Sequence, residues 1–224
     1  MKVGLVAFAS VCVLTLASVA GCSGTGGNGA VAPVGNSAPV KKSVHPMATP
    51  TPIQLVLGGT IGTVVFPDDD TATGGQGQSI QGINCRKELL NSFHHHVQLS
   101  MFVNGEQIAL PKGTGMKDPH NNPFIYHAAC FYFLHTHDRT GIIHIEPRTD
   151  TTYNLKNYFA VWGMPLSTTG FAGYTGAVSV YINGTLQPGM DPRTVTFSPF
   201  EQITLVIGTP PDWIPVYIFP AGYT

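Results

Sequence analysis

FYFLHTHDRTGIIHIE, residues 131–146, holds three of the chain's nine histidines and reads as a β-hairpin. Aromatic and β-branched residues fill both arms. The Asp138-Arg139-Thr140-Gly141 segment between them has turn chemistry, since Asp bonds its own backbone and Gly takes positive φ without a steric penalty. With Arg139 and Thr140 as a two-residue loop, Asp138 faces Gly141, and the same register sets His135 opposite His144. Side chains alternate at period two, so His137, Ile142 and Glu146 share that face. Tyr132, Leu134, Ile143 and Ile145 take the other, which is the core side. Three imidazoles thus converge on one side of a ribbon.

The segment before it carries a second set. In FHHHVQLSMFV, residues 93–103, His95, Val97, Leu99, Met101 and Val103 have one parity, and His94, His96, Gln98 and Ser100 the other. The apolar parity belongs to the core, so His94 and His96 point together to the polar side and His95 starts the buried side or frays. Asn104-Gly105 is a strong hairpin signal, and residues 108–110 return as a short strand stopped by Pro111. Residues 112–123, with His120, read as a loop.

After residue 146 the period changes. Leu155, Tyr158, Phe159 and Trp162 fall at i, i+3, i+4 and i+7, Thr151 or Thr152 can cap the start, Gly163 suits the C′ position, and Pro165 prevents continuation. This predicts one helix whose apolar stripe covers a sheet. Strand signals follow at residues 177–182, ending at Asn183-Gly184, at 194–197 and at 203–207. Earlier, residues 53–66 read as a first strand pair broken at Gly58-Gly59, and 67–82 as a surface loop. Its three adjacent aspartates lack the alternation of a Ca²⁺ loop and read as solvated charge. The Pro-rich, aromatic tail 210–224 is expected to pack along the surface.

At the N-terminus, Lys2, an apolar run over residues 3–20 and small residues before Cys22 form a secretory signal. Val19-Ala20-Gly21-Cys22 resembles the lipobox of bacterial lipoproteins, in which the signal is cut before the cysteine and that thiol is lipidated. An ordinary signal peptide with a chance cysteine is the alternative. The expected organisation is a signal peptide over 1–21, a flexible tether over 22–52 and one β-rich globular domain over 53–224. The tether, SGTGGNGAVAPVGNSAPVKKSVHPMATPTP after Cys22, has too few large apolar residues to offset its ordering entropy, and His45 in it is solvated. The lipid holds the extracytoplasmic domain on a cell-envelope membrane.

Charged residues are 10% of the chain and the net charge is −1, which removes the electrostatic basis for binding nucleic acid or an anionic membrane surface. With 26 glycines and 18 prolines, turns and strands are favoured over long helices. Cys12 leaves with the signal and Cys22 carries the lipid, so Cys85 and Cys130 remain. In an oxidising compartment these most simply form one disulfide; two thiolate metal ligands are the alternative.

Histidine binds Zn²⁺ or Cu²⁺ through a neutral ring nitrogen, and two histidines at i and i+2 of a strand share one ion when a third faces them from the next strand. His135, His137 and His144 provide that arrangement. If the strand of His94 and His96 lies beside the hairpin with its polar face on the same side, five imidazoles surround one site. Asp138 or Glu146 then serves as a further ligand or as an acceptor fixing a tautomer. Singly, each histidine reads as a solvated or hydrogen-bonded side chain; the shared parity of the set points to metal. No G-x-S-x-G, phosphate-cradling glycine loop, H-E-x-x-H helix or close carboxylate pair occurs. The chain reads as a binding protein before an enzyme.

Several of these segments together resemble a largely uncharacterised family of secreted or membrane-anchored bacterial and archaeal proteins. The shared marks are Ile83-Asn84-Cys85, His94-His95-His96, Phe102-Val103-Asn104-Gly105, Cys130, Leu134-His135-Thr136-His137-Asp138 and residues 141–146, hence LHTHD-x-x-G-x-IH-x-E. The helix over 155–163 and the later Val180-to-Gly184 strand are also similar. The resemblance implies that Cys85 and Cys130 pair, and it supplies no established activity. Gln98 stands where many members carry another histidine.

The element order predicts an α+β fold, a mainly antiparallel or mixed sheet with one helix in a β-grasp-like arrangement. A β-sandwich with a peripheral helix is the alternative, and a blue-copper version of it lacks a Cys-His-Met grouping. The functional expectation is a lipid-anchored envelope protein that binds copper or zinc through His94, His96, His135, His137 and His144. The contrasting expectation is an extracytoplasmic binding or assembly module with structural histidines and a protein or glycan partner.

Overall fold

A computed structural model describes residues 51–68, 74–88, 93–120 and 122–223, all within one compact unit, Met47–Thr224. The signal segment, Cys22 and nearly all of the tether lie outside the described residues, as do Asp69 and Asp70. In chain order the strands begin with β1 (Ile53–Gln54), β2 (Cys85–Arg86), β3 (His95–Val103) and β4 (Glu106–Ile108). There follow β5 (Met116–Lys117), β6 (Cys130–Tyr132), β7 (Leu134–His135) and β8 (Ile142–Ile145), then the helix α1 (Leu155–Trp162). Beyond it come β9 (Leu166–Ser167), β10 (Gly170–Phe171), β11 (Tyr174–Thr175), β12 (Val178–Ile182), β13 (Thr185–Leu186), β14 (Gln202–Ile207) and β15 (Tyr217–Ile218).

The main sheet runs β13-β12-β14-β3-β8-β7, with β4 also paired to β3. Its centre is the parallel pair β3 and β14, flanked by antiparallel pairs, and the helix lies in sequence between the two flanks. That order is the expected α+β, β-grasp-like arrangement. The first strand of the Asn104-Gly105 hairpin, β3, is central to the sheet. Nine residues of alternating parity make β3 the longest strand, and both of its faces are covered. Its turn has Asn104 and Gly105 at φ 50° and 83°, and Asn183-Gly184 repeats this at 48° and 78°, the paired positive φ of a type I′ hairpin.

One face carries the apolar parity. Val97, Leu99 and Met101 from β3, Ile143 and Ile145 from β8, and Ile203, Leu205 and Ile207 from β14 pack with Leu155, Tyr158, Phe159 and Trp162 of the helix. The helix stops at Gly163, which is left-handed at φ 79°, but its N-cap is Asn154 in a capping box with Asn157, and not Thr151 or Thr152. An Asn at that position accepts from the Asn157 amide one turn closer to the first apolar residue, so it wins over the threonines.

The opposite face is polar along β3 and is roofed by the segment from residue 53 to 63 and by the C-terminal segment around β15. Leu55, Tyr217 and Ile142 form a small buried cluster there. Residues 53–66 do not form a strand pair. Only Ile53 and Gln54 are in a strand, parallel to Tyr217 and Ile218, and Thr60 and Thr63 make single bridges to Arg139 and Ile108. Gly58 and Gly62, at φ 75° and 92°, turn the segment aside before a second strand can run back along the first. The tail does pack as expected, through β15 and Tyr223.

Cys85 and Cys130 form a disulfide that ties β2 to β6, the strand leading directly into β7. Among the described residues no helix is long and apolar enough to cross a membrane.

Candidate metal centre

The hairpin register expected from the sequence is the one found: Leu134 pairs with Ile145 and His135 with His144. On the other side of β8, His96 of β3 is the partner of His144. His135, His144 and His96 therefore form a row across three adjacent strands, all on the face away from the helix. The ladder does not continue to the turn. Thr136 leaves β8 and exchanges backbone hydrogen bonds with Gly113 and Thr114 at 2.8 and 2.9 Å, so residues 136–141 make a wide loop in place of a two-residue one. Gly141 closes it at φ 82°, where a Cβ would stand 2.3 Å from the Leu99 carbonyl oxygen, so only glycine allows the loop to meet β3.

The loop carries His137 back to the row. Its Nε2 lies 3.1 Å from Nε2 of His135. His94, just before β3, brings its Nε2 to 3.2 Å from Nδ1 of His144. The His144 ring contacts all four others, at centroid distances of 5.4 Å to His94, 4.4 Å to His96, 5.2 Å to His135 and 4.3 Å to His137. All five expected ligands are brought together. They fall into two groups that share His144, one with His94 and His96 and one with His135 and His137, and within each group the ligand atoms lie within 4.8 Å. Either group can hold a metal ion.

The two candidate carboxylates separate. Asp138 accepts from the Gly58 amide at 2.8 Å and from the Thr140 amide at 2.9 Å, so it builds the loop and is not a ligand. Burial raises its pKa, and those hydrogen bonds oppose the rise. Glu146, buried at the end of β8, has Oε1 at 3.2 Å from His94 Nε2, 3.7 Å from His144 Nδ1 and 3.9 Å from His135 Nε2. It is the carboxylate that faces the imidazoles.

Burial dominates the electrostatics. His94 is the member open to solvent, while His96, His135, His137 and His144 are buried. Desolvation, reinforced by His94, brings His96 down to about 3; the Tyr223 backbone opposes this from a position too poor for a hydrogen bond. Desolvation likewise brings His137 down to about 4, against the Ile125 carbonyl, and holds His135 and His144 well below 6.5. The rings are neutral, the form that binds a metal.

Hydrogen bonds then fix where the lone pairs are. His135 Nδ1 donates to the Tyr132 carbonyl at 2.8 Å, and His137 Nδ1 donates to the Ile125 carbonyl. In each neutral ring the proton is on Nδ1, so both Nε2 atoms present lone pairs, 3.1 Å apart. Two acceptors facing each other cannot share a hydrogen bond. Nitrogens each 2.0–2.1 Å from a tetrahedral Zn²⁺ are roughly 3.3 Å apart, and backbone acceptors on the far nitrogens are the usual orienting contacts of ligating histidines. The spacing and the tautomers both match an ion between them.

Aromatic rings wall the cluster. Phe124 stacks on His137 at 4.7 Å and 4°, and Tyr223 lies 4.4 Å from His96. Neither was marked by the sequence, because a loop and a tail carry no periodicity. His95 opens the other parity opposite Ile145, and His120 bridges His127 outside both groups. Gln98, buried beside Ile142, donates to Ser100 Oγ at 3.0 Å and belongs to a neighbouring polar network. Neither family models, nor characterised proteins, nor solved structures match the chain.

Proposed function

We propose that this protein is a lipid-anchored cell-envelope protein that binds copper or zinc through His94, His96, His135, His137 and His144, and that it buffers, delivers or senses the ion at the membrane surface. The observation that carries the reading is the pair of facing Nε2 lone pairs on His135 and His137, 3.1 Å apart in a buried site with no shared proton. A buried acceptor without a partner costs about 1–3 kcal/mol, and a cation relieves two at once. Imidazole suits Zn²⁺ and Cu²⁺ alike, so the donor set does not choose between them.

The anchor rests on the sequence: the apolar leader, the Val19-Ala20-Gly21-Cys22 lipobox and the tether that follows. Membership of the secreted or membrane-anchored family that carries LHTHD-x-x-G-x-IH-x-E belongs to the same proposal and agrees with an extracytoplasmic disulfide. Metal analysis of untagged full-length protein from the envelope fraction tests the reading. Copper or zinc near or above one equivalent is expected, and less than about a tenth of an equivalent, with no rise in Tm on adding either ion, overturns it. Cys22→Ala is expected to release the domain from the membrane fraction, and retention of this variant there overturns the anchor.

A further inference from the structure

The five imidazoles are more than one four-coordinate ion can use. A tetrahedral site takes four ligand atoms, yet five histidines and Glu146 converge here. An ion held by His135 and His137 leaves the far side of the cluster unexplained. His96 is the clearest case: it is 5% exposed, and both of its ring nitrogens are buried without a hydrogen-bond partner. On the same side His94 Nε2, His144 Nδ1 and Glu146 Oε1 lie within 3.2–3.7 Å of one another. That is a second collection of donors beside the His135 and His137 pair; the two histidine groups share His144, and Glu146 Oε1 also lies 3.9 Å from His135 Nε2.

We propose that the cluster is a two-ion centre in which His144 belongs to both ions. One ion is held by His135 and His137 at Nε2, and the other by His94, His96, Nδ1 of His144 and the Glu146 carboxylate. The remaining nitrogen of His144 serves the first ion; because a neutral imidazole has a single lone pair, the bridging ring is an imidazolate whose proton passes to solvent as the second ion binds. Glu146 supplies negative charge where two cations are brought near each other in a buried site. The His94 side is open to solvent and the His135 side is closed, so the two ions differ in accessibility: the outer one exchanges and the inner one is retained. This inference rests on the metal-binding reading and specifies it.

The test is the number of Zn²⁺ ions bound per full-length chain, read by native mass spectrometry and checked by elemental analysis after removal of free ion. Wild type is expected to bind two. His94→Gln, at the open edge, and His96→Gln are each expected to bind one, and His137→Gln also one, with far-UV circular dichroism unchanged. A brief treatment with EDTA is expected to leave one ion in the wild type. One Zn²⁺ in the wild type overturns the two-ion centre and leaves the metal-binding reading intact; none overturns both. Two ions in the wild type, with both lost together in His94→Gln and in His137→Gln, overturn the division into an outer and an inner site. His94→Gln, because its side chain is exposed, keeps the test valid if a buried variant fails to fold.

Discussion

The two faces of strand β3 are built from alternate residues of one segment, and both are buried, yet they are held in opposite ways. Val97, Leu99 and Met101 meet the helix and need only shape and apolar area. His96, Gln98 and Ser100 lie under the C-terminal segment with Tyr217 and Tyr223 and need partners for every polar atom. Burial is thus not the distinction between core and site. What separates them is whether the protein itself completes the interactions, and on the histidine side it leaves ring nitrogens of His96 without a protein partner.

The comparison breaks most visibly at Trp162, fully buried on the helix side. Trp162→Ala is expected to lower stability by about 3–5 kcal/mol in chemical denaturation, equally with and without metal. A loss that grows or vanishes with Zn²⁺ would mean that the two faces are not independent.

Acid acts on the other face. His137 titrates at about 4 when folded against about 6.5 when unfolded, and His96 at about 3. The unfolded chain binds protons that the folded rings refuse, so metal-free stability is complete above pH 6.5 and falls as the pH drops toward 4. For His137 alone the loss reaches about 3 kcal/mol by pH 4. Thermal melts of EDTA-treated protein between pH 8 and 4 check this, and a flat profile would contradict the buried, neutral rings. Added metal reverses the sign on this face only. Zn²⁺ at a hundredfold its Kd is expected to add about 2.7 kcal/mol per bound ion to wild type and nothing to His144→Ala, read as the Tm shift. The smallest expected effect lies beside the site, where Gln107 donates to the Tyr217 hydroxyl at 2.8 Å and to Ser100 Oγ at 3.1 Å. Gln107→Ala is expected to cost about 1 kcal/mol in urea denaturation and leave metal content unchanged.

Local pattern carried much of this to the reader of the sequence. Parity placed His94 with His96 on one face of their strand, and the Asp138-to-Gly141 turn chemistry gave the His135 and His144 register even though the real loop is wider; that the two sets share a face was a condition the strand pairing supplies. The helix stripe and both Asn-Gly turns were legible for the same reason: each is decided within a few residues. What stayed hidden depends on distant partners. The parallel pairing of β3 with β14 joins residues about a hundred positions apart, and no local signal announces it. Nothing in residues 53–66 or in the tail shows that they meet as β1 and β15 to roof the polar face. Glu146 and Asp138 were equal candidates until the loop closed, and it is the Gly58 amide, eighty residues upstream, that withdraws Asp138.

Diffraction from crystals soaked with Zn²⁺, recorded at the zinc absorption edge, tests the central claim most directly. The account predicts an anomalous peak about 2.0–2.1 Å from Nε2 of both His135 and His137. Zinc found only at surface residues, with those two nitrogens hydrogen-bonded to water or to each other, would contradict it.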